Sequence, residues 1–180
     1  MALVGCSSNG EAAAAAAAAT WTPPYCTIVA ADMSDFCYLS CPRCERALPD
    51  HADACAACSR LGGGGGGPAP APPARVYRLR VSVATHDRVV PVVLFDRAAR
   101  VLVGCPADEL ARLLAAQPGA ARAAEEALEG EMCRVAMRAL AKGDGERFRA
   151  VSVVPLRDGF RPLVDTLREL TDDPTPATSP

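Results

Sequence analysis

Two pairs of cysteines constrain the fold of this chain more than any other feature of its sequence. The pairs begin at Cys41 and Cys55, each has the spacing C-x2-C, and ten residues separate them. A C-x2-C turn places two thiolates on one side of a tight bend, and two facing bends complete a tetrahedral shell of four sulfurs. Structural zinc sites use this shell, which leaves no position open for a reactive water. The spacing favours this site over two disulfides, a redox C-x-x-C pair or coincidence. It predicts one structural Zn2+ ion bound by Cys41, Cys44, Cys55 and Cys58.

Length and composition narrow the class of protein. The 180 residues predict one domain with tails, and the net charge of -2 gives no overall field that would attract nucleic acid or a membrane. Residues 1–20 contain no Lys or Arg, so we expect no secretory signal, and the alanine run is too short for a membrane span. We therefore expect a reducing compartment, with cysteines on metal. His51 lies between the cysteine pairs and is expected to be exposed, because four cysteines already fill the shell.

Low-complexity segments set the expected domain boundaries. Residues 1–24 are an alanine-rich head that we expect to be disordered, and residues 171–180 are a disordered tail. The domain itself is predicted over residues 25–170, with the zinc ribbon inserted at 36–60. Residues 61–74 form a Gly/Pro-rich segment that favours a disordered loop over a proline-rich ligand for a partner domain.

The hydrophobic pattern predicts short strands and a few helices. Period-two alternation or β-branched runs indicate the strands, and apolar residues three to four positions apart indicate the helices. A hairpin turn is expected at Lys142–Gly145. Strands are predicted over 25–31, 36–39, 75–84, 89–95 (a segment that 101–104 closes), 132–140 and 147–156, and helices over 107–116, 120–128 and 160–170.

Arginines alternate with apolar residues on three of the predicted strands. Residues 75–160 carry 14 basic against 11 acidic residues, a net charge of +3 in a slightly acidic chain. On a closed sheet such arginines converge into a groove that follows phosphates, or else they form a solvated outer face that prevents edge pairing. The cysteines at 26, 37, 105 and 133 lie among apolar residues and are expected in the core. The arginines concerned are Arg78, Arg80, Arg134, Arg138, Arg147 and Arg149.

The order of elements predicts a mainly β fold: a five-stranded OB-fold barrel with a helix between its third and fourth strands, the four-cysteine ribbon inserted after the first strand, and a C-terminal amphipathic helix. The stretch Phe36-Cys37-Tyr38-Leu39-Ser40-Cys41-Pro42 resembles the entry into the ribbon of the C-terminal domain of the replication protein A large subunit. The later elements follow in the same order as in that family: segments 77–83, 95–104 and 147–153, and then the closing helix. The resemblance covers about residues 25–170, and the short ribbon is closer to stand-alone relatives such as the N-terminal module of the DNA damage-induced apoptosis suppressor.

The resemblance implies a nuclear protein that binds single-stranded DNA in replication, repair or recombination. It implies the arginines above as phosphate contacts and Phe95 as a ring at a family stacking position, while the residues alone favour a core position for Phe95 over stacking. Two other positions where the family offers rings are Pro91 and Lys142 here, so binding is expected to be weak and to depend on arginine. Each lost stacking contact removes about 1–3 kcal/mol.

The closing helix supports a second hypothesis, in which the fold has lost its nucleic acid and docks on a protein partner. Five apolar residues share one face of that helix, and packing over the open end of the barrel explains the same pattern. No catalytic constellation or phosphate loop occurs, so we expect no enzyme and no small-molecule substrate. The proposed docking residues are Phe160, Leu163, Val164, Leu167 and Leu170.

Overall fold

The structure is a computed structural model and describes residues 20–61, 72–140 and 147–172. Three sequence expectations fall outside this range: the disordered head before residue 20, the disordered tail from residue 173, and the hairpin turn at Lys142–Gly145. Most of the Gly/Pro-rich loop also lies outside it. None of the described helices is both long enough and apolar enough to cross a membrane.

The described chain folds into seven strands and five helices. The six predicted strands are all present, with ends within one residue of the prediction. The bounds in chain order are β1 Cys26–Asp32, β2 Cys37–Ser40, β3 Ala47–Leu48, α1 Ala56–Leu61, β4 Ala74–Ala84, β5 Val89–Phe95, α2 Asp96–Val103, α3 Ala107–Ala116, α4 Ala120–Leu128, β6 Met132–Ala139, β7 Phe148–Pro155 and α5 Leu163–Asp172.

Five of the strands hydrogen-bond in a closed ring. β1 pairs antiparallel with both β4 and β6, β4 pairs with β5, and β6 pairs with β7. β5 and β7 close the ring with a short parallel pairing. The ring order β1-β4-β5-β7-β6 is consistent with the predicted OB-fold. It gives each of these strands a partner on both sides.

Alternation along the strands places the core inside this ring, as predicted. On β4, Tyr77, Leu79, Val81 and Val83 are all at most 4% exposed, while the residues between them face outward. The Tyr77 hydroxyl donates a hydrogen bond to the carbonyl of Cys105 (3.0 Å), which satisfies the only polar group that this face brings inward. Burial raises the pKa of Tyr77, so the phenol stays neutral.

Three helices, rather than one, lie between the third and fourth ring strands. α3 and α4 match the helices predicted at 107–116 and 120–128. The prediction that 101–104 closes a strand segment is wrong, because Asp96–Val103 forms α2. Its buried residues Ala98, Ala99, Leu102 and Val103 recur at helical spacing, and this periodicity outweighs the β propensity of two valines. The fold is therefore mixed and rich in sheet rather than mainly β.

The cysteine-rich segment is inserted between β1 and β4, as predicted. β2 pairs antiparallel with the first residues of β4, and β3 pairs with β2. β4 is therefore shared: its first four residues extend toward the inserted segment, and the remainder belongs to the ring. Trp21, which precedes the expected domain start, also joins the fold through paired backbone hydrogen bonds with Met137 on β6.

Helix α5 packs on the helices that follow β5. Leu163, Val164 and Leu167 are at most 4% exposed and belong to the core cluster, against which Phe160 also packs. Leu170 is 44% exposed. The helix predicted over 160–170 begins at Leu163, so Phe160 precedes it, and the rest of the chain covers most of the apolar residues of the helix.

Candidate metal centre and nucleic-acid interface

The sulfurs of Cys41, Cys44, Cys55 and Cys58 lie together, all within 4.8 Å of one another. The distance from Cys41 Sγ to Cys58 Sγ is 3.8 Å, and from Cys44 Sγ to Cys55 Sγ it is 3.6 Å. Zn–S bonds of about 2.3 Å in a regular tetrahedron place any two sulfurs about 3.8 Å apart. The cluster therefore has the geometry of a four-sulfur metal site.

Local backbone structure holds each cysteine pair in place. The first pair follows β2 in a turn, where the Glu45 N–H donates to the Cys41 carbonyl (2.8 Å) and the Cys41 N–H donates to the Arg46 carbonyl (3.0 Å). Glu45 has a positive φ of 57°, which a tight turn of this kind requires. The second pair straddles the start of α1, where the Ser59 N–H donates to the Cys55 carbonyl (2.9 Å).

Backbone amides make two of these sulfurs acidic. The N–H groups of Cys44 and Arg43 lower the pKa of Cys41 to about 7, and the Cys58 N–H lowers the pKa of Cys55. Hydrogen bonding with the Cys44 sulfur raises the pKa of Cys58 to about 12, because closely spaced thiolates repel one another. A divalent cation removes that repulsion, so the cluster is suited to hold a metal ion as four thiolates.

The second feature of the site is a row of residues across the outer face of the ring. Arg80 on β4 lies opposite Val93 on β5, Val93 lies opposite Arg149 on β7, and Arg149 lies opposite Arg138 on β6. Residues directly opposite in a sheet share a face, and neighbouring strands are about 4.8 Å apart. Three arginines therefore follow one line across four strands, over about 14 Å.

A second row adds two aromatic rings. Arg78 lies opposite Phe95, two residues along each strand from the first row. The Arg149 guanidinium lies over the Phe95 ring at 5.1 Å from its centroid, and the Arg78 guanidinium lies 6.0 Å from the centroid of Tyr38. Tyr38 comes from β2, so the two aromatic side chains connect the outer face of the strand ring to the cysteine-rich insertion. Flat guanidinium and aromatic groups of this kind can stack on bases.

Four of these residues, Tyr38, Phe95, Arg138 and Arg149, line a groove of about 840 Å³ between the ring and the insertion, and Arg78 and Arg80 lie beside it. We refer to this surface as the arginine groove. Three lining residues have no role in the sequence prediction. Tyr38 appears there only as part of the ribbon entry and Arg75 only as part of a strand, and Arg97 lies on helix α2, which the sequence pattern does not predict. The charged and aromatic lining residues are Tyr38, Glu45, Arg75, Phe95, Asp96, Arg97, Arg100, Arg138 and Arg149.

Four of the six predicted arginines, among them Arg134 and Arg147, do not line the arginine groove. Arg134 lies opposite Val154, four residues before Arg138 on β6, or about 13 Å along an extended strand. Arg147 precedes β7 and lines a neighbouring depression together with Arg80 and Pro91. The structure thus places Arg138, Arg149 and Phe95 in the groove, and it places Arg78 and Arg80 beside the groove on the same outer face of the strand ring.

Acidic residues lie beside part of this face. Asp35 forms ion pairs with both Arg78 and Arg80, at 2.7 Å from the Arg80 guanidinium, and Asp32 lies 3.4 Å from Arg80. The register of β1 against β4, which pairs Asp32 with Arg80, brings these charges together.

Burial limits the proposed docking surface on α5. Leu163, Val164 and Leu167 are enclosed by the chain itself, so they are unavailable to a partner in this conformation. Phe160 is half-buried, and Leu170 alone of the five is exposed. Docking through this helix stays a prediction, and the observed packing favours the alternative that the helix covers the core.

Comparisons with known proteins identify structural relatives. No protein-family model matches the sequence, and a search of curated proteins finds no match. A chain of a replication protein A heterotrimer bound to single-stranded DNA is similar in structure, with a TM-score of 0.55 and 22% identity over 83% of this chain. The present chain spans 35% of that relative. A chain of yeast replication protein A bound to single-stranded DNA matches with a TM-score of 0.56 and 18% identity over 90% of both chains. At these identities the likeness shows a shared fold.

Proposed function

We propose that this protein binds single-stranded DNA in the arginine groove, as a relative with a short ribbon of the C-terminal domain of the replication protein A large subunit. One observation carries the proposal. Arg138 and Arg149 lie directly opposite each other on neighbouring strands, and among the described residues neither has a carboxylate partner. Like charges in this position destabilise a sheet, so the pair favours a polyanionic ligand that bridges both guanidinium groups.

In this proposal the charged and aromatic residues have different tasks. Arg138 and Arg149 contact phosphates, which provides affinity without sequence preference. Phe95 and Tyr38 offer faces on which bases stack, and stacking tolerates any base. These roles need binding alone, so we propose a DNA-binding protein without catalytic activity, acting in the nucleus in replication, repair or recombination.

We also propose that the four-cysteine cluster holds one Zn2+ ion with a structural role. The sulfur spacing, the two acidic thiols and the complete four-sulfur shell support zinc rather than a metal with hard oxygen ligands. Bound zinc would fix the two cysteine turns to each other. Because β2 leads into the first turn and carries Tyr38, the site also positions one ring of the arginine groove.

Fluorescence anisotropy with a labelled oligo-dT of about 25 nucleotides tests the proposal. We expect saturable binding by the zinc-loaded protein, and Arg149→Gln should weaken it several-fold because one phosphate contact is lost. Arg122→Gln is the matched control, since Arg122 is exposed on α4 and lies outside the groove. Absence of binding at tens of micromolar protein in low salt, or equal losses in both variants, would contradict the proposal.

A further inference from the structure

The arginines of this face form two pairs that differ in their partners. Arg138 and Arg149 have no carboxylate partner within the described part of the chain. Arg78 and Arg80, in contrast, share the carboxylate of Asp35, and Arg80 also lies 3.4 Å from Asp32. Half of the positive charge on the face is therefore already neutralised by the protein itself.

Buried neighbouring residues and a backbone hydrogen bond hold Asp35 close to Arg78 and Arg80. It lies in the turn between β1 and β2, flanked by the buried side chains of Met33 and Phe36. The Arg78 N–H donates to the Phe36 carbonyl (2.7 Å), which ties the turn to β4 next to the two guanidinium groups. Asp35 therefore stays near both arginines without depending on the flexible ends of their side chains.

These ion pairs remain open to a competing ligand. The side chains of Arg78, Arg80 and Asp35 are between 41% and 50% exposed. Exposed ion pairs contribute little to stability, and a phosphate binds a guanidinium in the same planar, two-pronged geometry as a carboxylate. A phosphate group can therefore take the place of Asp35 without disturbing the buried core.

We propose that Asp35 competes with the DNA backbone for Arg78 and Arg80 and thereby sets the affinity of the face for single strands. This inference rests on the proposed function. The DNA first binds Arg138 and Arg149, and it contacts Arg78 and Arg80 only when a further phosphate displaces Asp35. Asp35 lowers the affinity for every single-stranded DNA, and most of all when the DNA brings phosphates to the β4 side of the face.

The test is the Asp35→Asn variant in the same anisotropy assay with oligo-dT. The amide keeps the size of the side chain and removes its charge. We expect about 3- to 10-fold tighter binding in low salt, and a steeper dependence on salt because no freed carboxylate takes up a cation. Asp158→Asn is the control, since it removes the same charge from an exposed turn beyond β7. Equal effects of the two variants would overturn the inference.

A double-mutant cycle locates the effect. If Asp35 acts through Arg80, the gain from Asp35→Asn should shrink in the Arg80→Gln background, whereas independent effects would add. Circular dichroism and thermal unfolding check that each variant is folded. Should Asp35→Asn prove unfolded, Asp32→Asn replaces it, with a smaller expected gain because, of the two arginines, Asp32 contacts only Arg80, and it also accepts hydrogen bonds from Ser34; no gain there would overturn the inference.

The two proposals fail in different ways. If the wild-type protein binds oligo-dT through Arg149 and Asp35→Asn leaves affinity and salt dependence unchanged, only the role of Asp35 is wrong. If neither the wild-type protein nor Asp35→Asn binds, the proposed function is wrong and the role of Asp35 is overturned with it.

Discussion

At the residue scale, Gly104 is the position where the fold depends most on having no side chain. It ends α2 with a positive φ of 84°, and its N–H donates to the Arg100 carbonyl at 2.8 Å. A Cβ atom there would lie 2.4 Å from Cβ of Pro162, which leads into α5. Gly104 therefore allows the close approach between the end of α2 and the start of α5.

We expect Gly104→Ala to lower the free energy of unfolding by more than about 2 kcal/mol, because the left-handed backbone costs about 1–2 kcal/mol and the clash with Pro162 adds to it. Gly130→Ala is the matched control: its φ is 83°, and a Cβ atom there has no neighbour within 4 Å. Urea unfolding of both variants measures the difference. Equal losses in the free energy of unfolding of the two variants would mean that the clash with Pro162 adds nothing to the destabilisation.

At the scale of elements, the cysteine-rich insertion is small and has little core of its own. β2, β3 and α1 contain four, two and six residues, and Cys41 and Cys55 are among the few buried residues of the insertion. Segments of this size depend on a metal or another cross-link to hold their shape.

We therefore expect Cys55→Ser to abolish binding of about one zinc per chain and to loosen the insertion. Cys37→Ser is the control, because Cys37 has the same chemistry and lies outside the four-sulfur cluster. Metal analysis of the purified proteins gives the zinc content, and limited proteolysis reports on the insertion. A metal-free wild-type protein with a protease-resistant insertion would contradict the zinc assignment.

Helix α5 offers a test of core packing against docking. Leu167 is 4% exposed and Leu170 is 44% exposed, three residues apart on the same helix. We expect Leu167→Asp to lower the free energy of unfolding by more than about 3 kcal/mol, because it buries a charge, and Leu170→Asp to change it by less than about 1 kcal/mol. Thermal unfolding compares the two. A folded, stable Leu167→Asp protein would favour the docking hypothesis.

At the scale of the whole molecule, the sequence predicted the features that depend on local pattern. The alternation on β4 predicted its buried face, and the C-x2-C spacing predicted which sulfurs meet. The sequence pattern does not predict helix α2, because Val101 and Val103 favour strands locally. The segment is helical because a helix buries Leu102 and Val103 against the strand ring. The ion pairs of Asp35 depend on the register of β1 against β4, which sequence spacing does not reveal.

The last prediction concerns the balance of charge over the whole chain. Its net charge is -2, so attraction to DNA has to come from one face rather than from the overall field. If two to four arginines of that face contact phosphates, the logarithm of the binding constant should fall with the logarithm of salt concentration with a slope of about -1.4 to -2.8. Arg138→Gln combined with Arg149→Gln should make the slope less steep by about 1.4, and Arg122→Gln should leave it unchanged. A titration of oligo-dT binding at several salt concentrations measures each slope. A slope that both the double variant and the control leave intact would place the DNA on another surface of the protein.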